Sequence, residues 1–396
     1  MKEIYLDYAA TTPPSSESVQ SMLKVLEKDY GNPSSLHRKG MKAEEYIKRT
    51  SDEIAKHLKV TPEELYYTSG GTESNNLGIL GVATSYKRTG KHVITTKIEH
   101  SSVQGPFQKL EEKGYEVTYV PVDSQGYVDI EFLRQSIRPD TILVSIMHVN
   151  NEIGTIQPIE QIGHLIKEVN PLALFHVDGV QSFGKFPIYP KRWKIDLLSI
   201  SGHKIYAPKG IGVLYVAKNT KIEPLFYGGN QQNGLRSGTE NVPGIVALYP
   251  AVKNAYENLQ EHTAYLYQLK KLLVTELTSQ LENTFLQGPS VEEGAPHILN
   301  IRFQDVRGEV LVHALEDKKI YISTGSACSS RKSNKSMTLQ AIGLSDEQIM
   351  SSVRISLSPC TTKEDIQKCV YEMKQIVPML RKFVPGGKKN EKIIFN

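Results

Sequence analysis

Between residues 65 and 216 the chain repeats one pattern, a short apolar run followed by a longer amphipathic stretch. The runs are LYYTS, HVITT, EVTYVPV, TILVSIMHV, LALFHVD, DLLSIS and GIGVLYV. Several are apolar throughout rather than at every second residue, which predicts strands covered by helices on both faces, and hence a mostly parallel sheet. Ligands in open α/β sheets bind beyond the carboxyl ends of the strands. What each run delivers there is polar. LYYTS leads to Gly70, Gly71 and Thr72, HVITT towards His100, SIMHV to Asn150 and Asn151, LALFHV to Asp178, and LLSIS to His203 and Lys204.

A length of 396 residues predicts one large domain and a smaller one. The large domain is expected over residues 15–245 and a connecting helix over 246–282. A smaller α/β domain follows over 283–385, joined by 1–14 and built on the strands HILNIRF, IYIST and VRISLS, with a flexible tail at 386–396. Lys and Arg total 47 against 43 Asp and Glu, and much of the excess sits in the tail, so no basic footprint for direct nucleic-acid binding is expected. No apolar run approaches the roughly 20 residues that cross a bilayer, and MKEIYLDYAATT lacks a signal-peptide core, so a cytoplasmic protein is expected. The three cysteines show neither disulfide-framework nor metal-type spacing, and no metal is expected.

Lys204, in SGHK, follows a strand and precedes the glycine-bearing loop YAPKGIG. Most lysines are solvated surface groups. One enclosed at a strand end can lose its proton and form a Schiff base with an aldehyde cofactor. Such a cofactor needs an acid at its pyridine nitrogen, donors for its phosphate and a flat group against its ring. Asp178 suits the first task, although a strand-end aspartate is equally often a turn or helix cap. The Gly70, Gly71 and Thr72 turn suits the second, although an ordinary helix start reads the same way. His100 suits the third.

Cys328 lies in STGSACSSRKSNKS, a small and basic stretch that reads as a mobile exposed loop, where Arg331, Lys332 and Lys335 favour the thiolate. A buried inert thiol fits that context poorly. It fits Cys369, inside an amphipathic helix, while Cys360 has no evident place.

Taken in order, LDYAATT, GNPSSLH, TSGGTESNN, IEHSSV, HVNNEIGT, HVDGVQSFGK, SISGHKIYAPKGIG, LRSGTEN and STGSACSS resemble a cysteine desulfurase of the class-V aminotransferase family, over residues 4 to 360. The SACSS stretch resembles the class with a long sulfur-carrier loop. The resemblance implies fold-type I of the pyridoxal 5'-phosphate enzymes, working as a homodimer on L-cysteine. Lys204 is then the Schiff-base lysine and Cys328 the persulfide carrier. Asp178 pairs with the ring nitrogen, Gln181 with the ring oxygen, and His100 stacks on the ring with Asn151 nearby. Gly71, Thr72, Ser201 and His203 hold the phosphate, and Thr239 reaches it from the partner subunit. Arg354 grips the substrate carboxylate with help from Asn32.

Two departures stand out. VRISLS continues as SPCTT, where relatives more often carry Gly and a bulky or basic residue, and the tail VPGGKKNEKIIFN does not resemble the segment that docks an iron–sulfur scaffold. The sulfur acceptor is therefore either such a scaffold or a tRNA-thiolating enzyme. Rival readings are a selenocysteine lyase or aminotransferase of the same fold, in which Cys328 has no role, and a non-catalytic partner-binding subunit. A dinucleotide oxidoreductase is excluded because TSGGTESNN, not G-x-G-x-x-G, follows the first clear strand.

Overall fold

A computed structural model describes residues 2–325 and 335–383 of the chain. They form two compact units, one of Ala10–Asn151 with Ile156–His262, the other of the described residues within 1–9, Glu152–Thr155 and 263–383. In chain order the strands are β1 (Ile4–Tyr5), β2 (Leu65–Thr68), β3 (His92–Thr96), β4 (Glu116–Val120), β5 (Thr141–Ser145), β6 (Leu174–Asp178), β7 (Leu197–Ser201), β8 (Gly212–Val216), β9 (Thr284–Gln287), β10 (Ile298–Phe303), β11 (Ile320–Tyr321) and β12 (Ser352–Ser356).

The larger unit holds a seven-stranded sheet in the order β2-β8-β7-β6-β5-β3-β4. Strands β4, β3, β5, β6 and β7 are mutually parallel, and β8 runs antiparallel to both of its neighbours. This is the mostly parallel sheet that the apolar runs predict. Each of β3, β5, β6, β7 and β8 is buried at every position. Successive side chains enter opposite layers. Leu143, Leu174, Leu197 and Leu214 pack with Leu77 and Phe107 of the Gly71–Ser85 and Ser101–Glu112 helices. Val144, Phe175, Leu198 and Tyr215 pack with Ile162 and Ile166 of the Ile159–Val169 helix. Each such side chain contributes about 1.5–3 kcal/mol of burial. Edge strand β4 opens on exposed Glu116, paired with Arg138 at 2.7 Å, a charge that discourages edge-to-edge association.

One polar row crosses this core. Ser145 Oγ meets His176 Nδ1 at 2.7 Å, and His176 Nε2 meets Ser199 Oγ at 3.0 Å, linking β5, β6 and β7. Both ring nitrogens are satisfied by a neutral imidazole between two hydroxyls. Burial depresses the His176 pKa to about 3.

The smaller unit is an antiparallel sheet, β12-β10-β9, and a parallel pair, β1 with β11. Leu299 and Ile301 of β10 and Val353 and Ile355 of β12 share a core with Leu269 and Leu273 of the Leu259–Gln280 helix and Cys369 and Met373 of the Lys363–Arg381 helix. The boundary between the units falls inside the Leu259–Gln280 helix. Cys369 is the inert thiol its helical position predicts, its pKa pushed up to about 12 by burial. No helix among the described residues is long and apolar enough to cross a membrane.

The folded state resists protonating His176, whereas the unfolded imidazole titrates near 6.5, so the stability this residue supplies is complete above that pH and declines as pH falls from 6.5 towards 3. Thermal melts of the wild type should lose about 1.4 kcal/mol per pH unit over that window from this group alone. Melts of His176→Gln, lower at neutral pH, should fall less steeply between the same limits; equal slopes would remove His176 as the cause.

Candidate active site

The first cluster surrounds the start of the Gly71–Ser85 helix. Gly70 has φ 153° and ψ −178°, a conformation closed to residues with a Cβ. It lies so close to β8 that a Cβ on Gly212 would stand 2.6 Å from Gly70 Cα. A Cβ on Gly71 would meet Val180 Cγ2 at 2.6 Å and Ser201 Cβ at 3.5 Å. The Gly70–Gly71 turn, the turn after Asp178 and the end of β7 therefore converge. Ser201 Oγ is buried there with no hydrogen-bond partner among the described residues. A buried hydroxyl lacking a partner, beside first-turn amides with no intrahelical acceptor, fits an anionic group such as a phosphate.

The second cluster is a hydrogen-bonded relay. Asp178 is buried at the end of β6, where Oδ1 accepts from Val180 N at 2.9 Å and Oδ2 from Asn75 Nδ2 at 2.8 Å. Asn75 Nδ2 also donates to Ser102 Oγ at 2.8 Å. That hydroxyl has one proton, and its other contact is His100 Nδ1 at 2.7 Å. Nδ1 accepts from Ser102 N as well, at 3.1 Å, so the neutral imidazole carries its proton on Nε2. The candidate ring-nitrogen acid and the candidate stacking histidine are thus set by one network. Beneath it, Glu99 Oε1 accepts from Met147 N and from Thr96 Oγ1. Burial, with a smaller push from Asp178, raises the Glu99 carboxyl to about 8, so it holds its proton at neutral pH.

The third cluster presents Lys204. The 3₁₀ turn Gly202–Lys204 follows β7, and Lys204 Nζ donates to Ala10 O at 2.7 Å. The neighbouring strand of chain is held against this turn by Thr12, whose Oγ1 donates to His203 O at 3.0 Å and accepts from Tyr206 N at 2.8 Å. Lys185 Nζ donates to the Lys204 carbonyl at 3.1 Å, and burial together with the charge of Lys204 lowers its pKa to about 7. His203 is pushed down to about 4, first by burial and then by Lys204, Lys209 and Lys185, and its Nδ1 meets Thr11 Oγ1 at 3.1 Å. A neutral His203 can serve a phosphate as a hydrogen-bond donor rather than as a cation.

Gln181 is buried in the turn after Asp178, and Asn151 is partly exposed on the loop closed by the Val149 to Ile156 bridge. Thr72, Asn32 and Thr239 are exposed, and Arg236, three residues before Thr239, is tied to Glu73 at 2.8 Å. In the smaller unit Arg354 is buried on β12, with Nη2 on Asp7 Oδ1 at 2.9 Å. Cys328, Arg331 and Lys332 lie outside the described residues, as does the tail. Sequence reasoning missed Asn75, Glu99, Ser102, Lys185 and Asp7. All five lie inside the quoted motifs TSGGTESNN, IEHSSV, HVDGVQSFGK and LDYAATT, which was the available signal.

Over residues 4–369 the chain matches the model of the aminotransferase class-V family. It is 42% identical over 384 residues to the cysteine desulfurase IscS of Dictyoglomus turgidum, covering 97% of each chain. To the cysteine desulfurase IscS of Methanosarcina thermophila it is 44% identical, over 97% of this chain and 94% of that one. Among solved structures, a NifS-like protein superposes with a TM-score of 0.90 at 36% identity, covering 96% of this chain and all of that one. SspA in complex with cysteine superposes at 0.80 and 36% identity, over 91% of this chain and 100% of the other.

Removing Asn75 leaves Asp178 and Ser102 each short of a donor and frees the hydroxyl that sets His100. Asn75→Ala should lower turnover about 10- to 100-fold while the protein still folds, and should move the pH dependence of the rate. An unchanged pH profile in steady-state assays would deny the relay its role.

Proposed function

The chain belongs to the class-V aminotransferase family and to its pyridoxal-phosphate-dependent cysteine desulfurases, and from that premise we propose how its own residues convert L-cysteine to L-alanine with transfer of the sulfur. The observation that carries the assignment is the relay from Asp178 through Asn75 and Ser102 to His100, at the same sheet end as Lys204 and the Ser201 hydroxyl, which has no partner among the described residues.

Bound pyridoxal phosphate supplies an electron sink that stabilises negative charge at the substrate Cα. Lys204 Nζ would anchor it covalently, and the same amine is placed to take the proton from the substrate Cα. Asp178 would pair with the ring nitrogen and favour its protonated form. Gln181 would hold the ring oxygen, with Asn151 beside it. Gly71, Thr72, Ser201 and His203 of one subunit, with Thr239 from a second copy, would hold the phosphate. His100 would stack on the ring, with its Nε2 proton available for transfer. Arg354, steadied by Asp7, grips the substrate carboxylate, assisted by Asn32.

The Cys328 thiolate then attacks the substrate sulfur. A sulfur–sulfur bond forms, the bond from sulfur to Cβ breaks, and its electron pair stays on the carbon side until Cβ is protonated. The balance is cysteine plus a thiol in, alanine plus a persulfide out. The enzyme works as a cytoplasmic homodimer and hands the persulfide sulfur to an iron–sulfur scaffold or a tRNA-thiolating enzyme. The tail sequence, unlike a scaffold-docking segment, favours the second acceptor.

Borohydride reduction of the loaded wild type should fix a mass adduct on Lys204, and Lys204→Ala should abolish it. Cys328→Ser should keep the adduct yet lower alanine release from cysteine, assayed with a thiol present, on the order of a thousandfold. Alanine release at the full rate in Cys328→Ser would instead support a lyase or aminotransferase in which that cysteine is idle.

A further inference from the structure

One row of side chains crosses the small antiparallel sheet. Gln287 of β9, Asn300 of β10 and Arg354 of β12 stand opposite one another in register. Their strand neighbours Leu286, Leu299, Ile301, Val353 and Ile355 turn the other way, into the smaller core. Exposure along the row is 8%, 0% and 4%, so solvent satisfies none of the three. Gln287 Nε2 donates to Phe285 O at 3.1 Å, and Arg354 Nη2 donates to Asp7 Oδ1 at 2.9 Å. Asn300, between them, has no hydrogen-bond partner for Nδ2 or Oδ1 among the described residues.

A carboxamide carries two donor hydrogens and two acceptor lone pairs, and buried ones are seldom left unmet. Facing side chains on antiparallel strands start from Cβ atoms about 4.5–5.5 Å apart, which sets the amide of Asn300 beside the guanidinium of Arg354. Gly325, whose φ is 87°, borders both: a Cβ there would stand 3.6 Å from Arg354 Cβ and 3.7 Å from Asn300 Nδ2. An arginine that already spends one hydrogen on Asp7, and reaches Gly325 O at 3.5 Å through its other terminal nitrogen, has fewer donors left for a ligand. A carboxylate offers about four lone-pair sites, of which a bidentate guanidinium takes two, so a neutral amide at its side has an acceptor to meet.

We propose that Asn300 is a second residue for the substrate carboxylate: its Nδ2 donates to the group that Arg354 grips, and so helps the site tell an amino acid from an amine that lacks the carboxylate. The inference rests on the role of Arg354 given under the proposed function. With such an amine bound, the buried amide keeps its unmet hydrogens, and a site built this way rejects the analogue more strongly than shape alone would. A neutral donor adds this selectivity without a second buried charge to compensate.

The test uses the full-length, cofactor-loaded enzyme titrated with L-alanine, which has the carboxylate, and with ethylamine, which lacks it, with cofactor absorbance reporting the binding of each. Asn300→Ala should weaken L-alanine binding about 10- to 100-fold and raise KM for L-cysteine in parallel, while ethylamine binding changes by less than about threefold. Asn300→Asp, the same shape but acceptor-only when ionised, should bind L-alanine more weakly still, and should regain affinity as pH falls and its carboxyl gains a hydrogen to donate. A residue that only steadied Arg354 would tolerate Asp, which can pair with the guanidinium. Should Asn300→Ala not fold, the Asp variant decides by the same comparison of the two ligands. Unchanged L-alanine binding, an equal loss for both ligands, or an Asp variant that binds L-alanine as the wild type does would each overturn the proposal. Wild-type binding of L-alanine by Arg354→Ala would instead bring down the underlying carboxylate assignment, and this one with it.

Discussion

Covering the central strands on both faces leaves a polar side chain few places to go. In β3, β5, β6, β7 and β8 no position is exposed, so a charged group inside a strand would have to be paired or neutralised. The row of Ser145, His176 and Ser199 is tolerated because the imidazole stays neutral and both of its nitrogens are bonded. Asp178 and Ser201 instead sit at the last positions of β6 and β7, where backbone amides, a helix start and solvent become available. The chemistry collects at one end of the sheet because the core excludes it elsewhere.

At that end, each functional group is held by a residue with no chemistry of its own. Asn75 spends both of its amide protons, on Asp178 and on Ser102, and thereby determines which nitrogen of His100 carries a hydrogen. Thr12 holds the turn that bears Lys204, and Lys185 holds its carbonyl. Burial keeps His203 and Glu99 neutral near pH 7, which limits the number of charges competing around an anionic cofactor. In a low-dielectric site, an oriented neutral donor stabilises charge without the cost of burying another ion.

The smaller unit follows a similar rule with opposite signs. Arg354 is nearly fully buried and is compensated by Asp7, with Glu152 acting on it at a distance. The bridges from Asp7 to Ser356 and from Ser323 to Arg354 put the arginine, its partner and the start of the Cys328 segment on one small sheet. A guanidinium held this way keeps its orientation at little entropic cost, which is what recognition of a planar carboxylate requires.

Read as sequence, the chain already specifies its sheet. The apolar runs mark the strands, their unbroken character implies covering on both faces, and the residues that follow them name Lys204, Asp178, His100 and the Gly70–Gly71 turn. That much is local, because strand and helix periodicity is written in neighbouring residues. What only the tertiary structure decided is pairing. Asn75 and Asp178 stand 103 positions apart and meet because β6 lies across the sheet from the helix that follows β2. Arg354 and Asp7 are 347 apart, and Glu152 and Ser336 are 184 apart. No period or spacing encodes such contacts. They follow from strand order and from the need of each buried polar atom for a partner, and that need can be met only once the chain has packed.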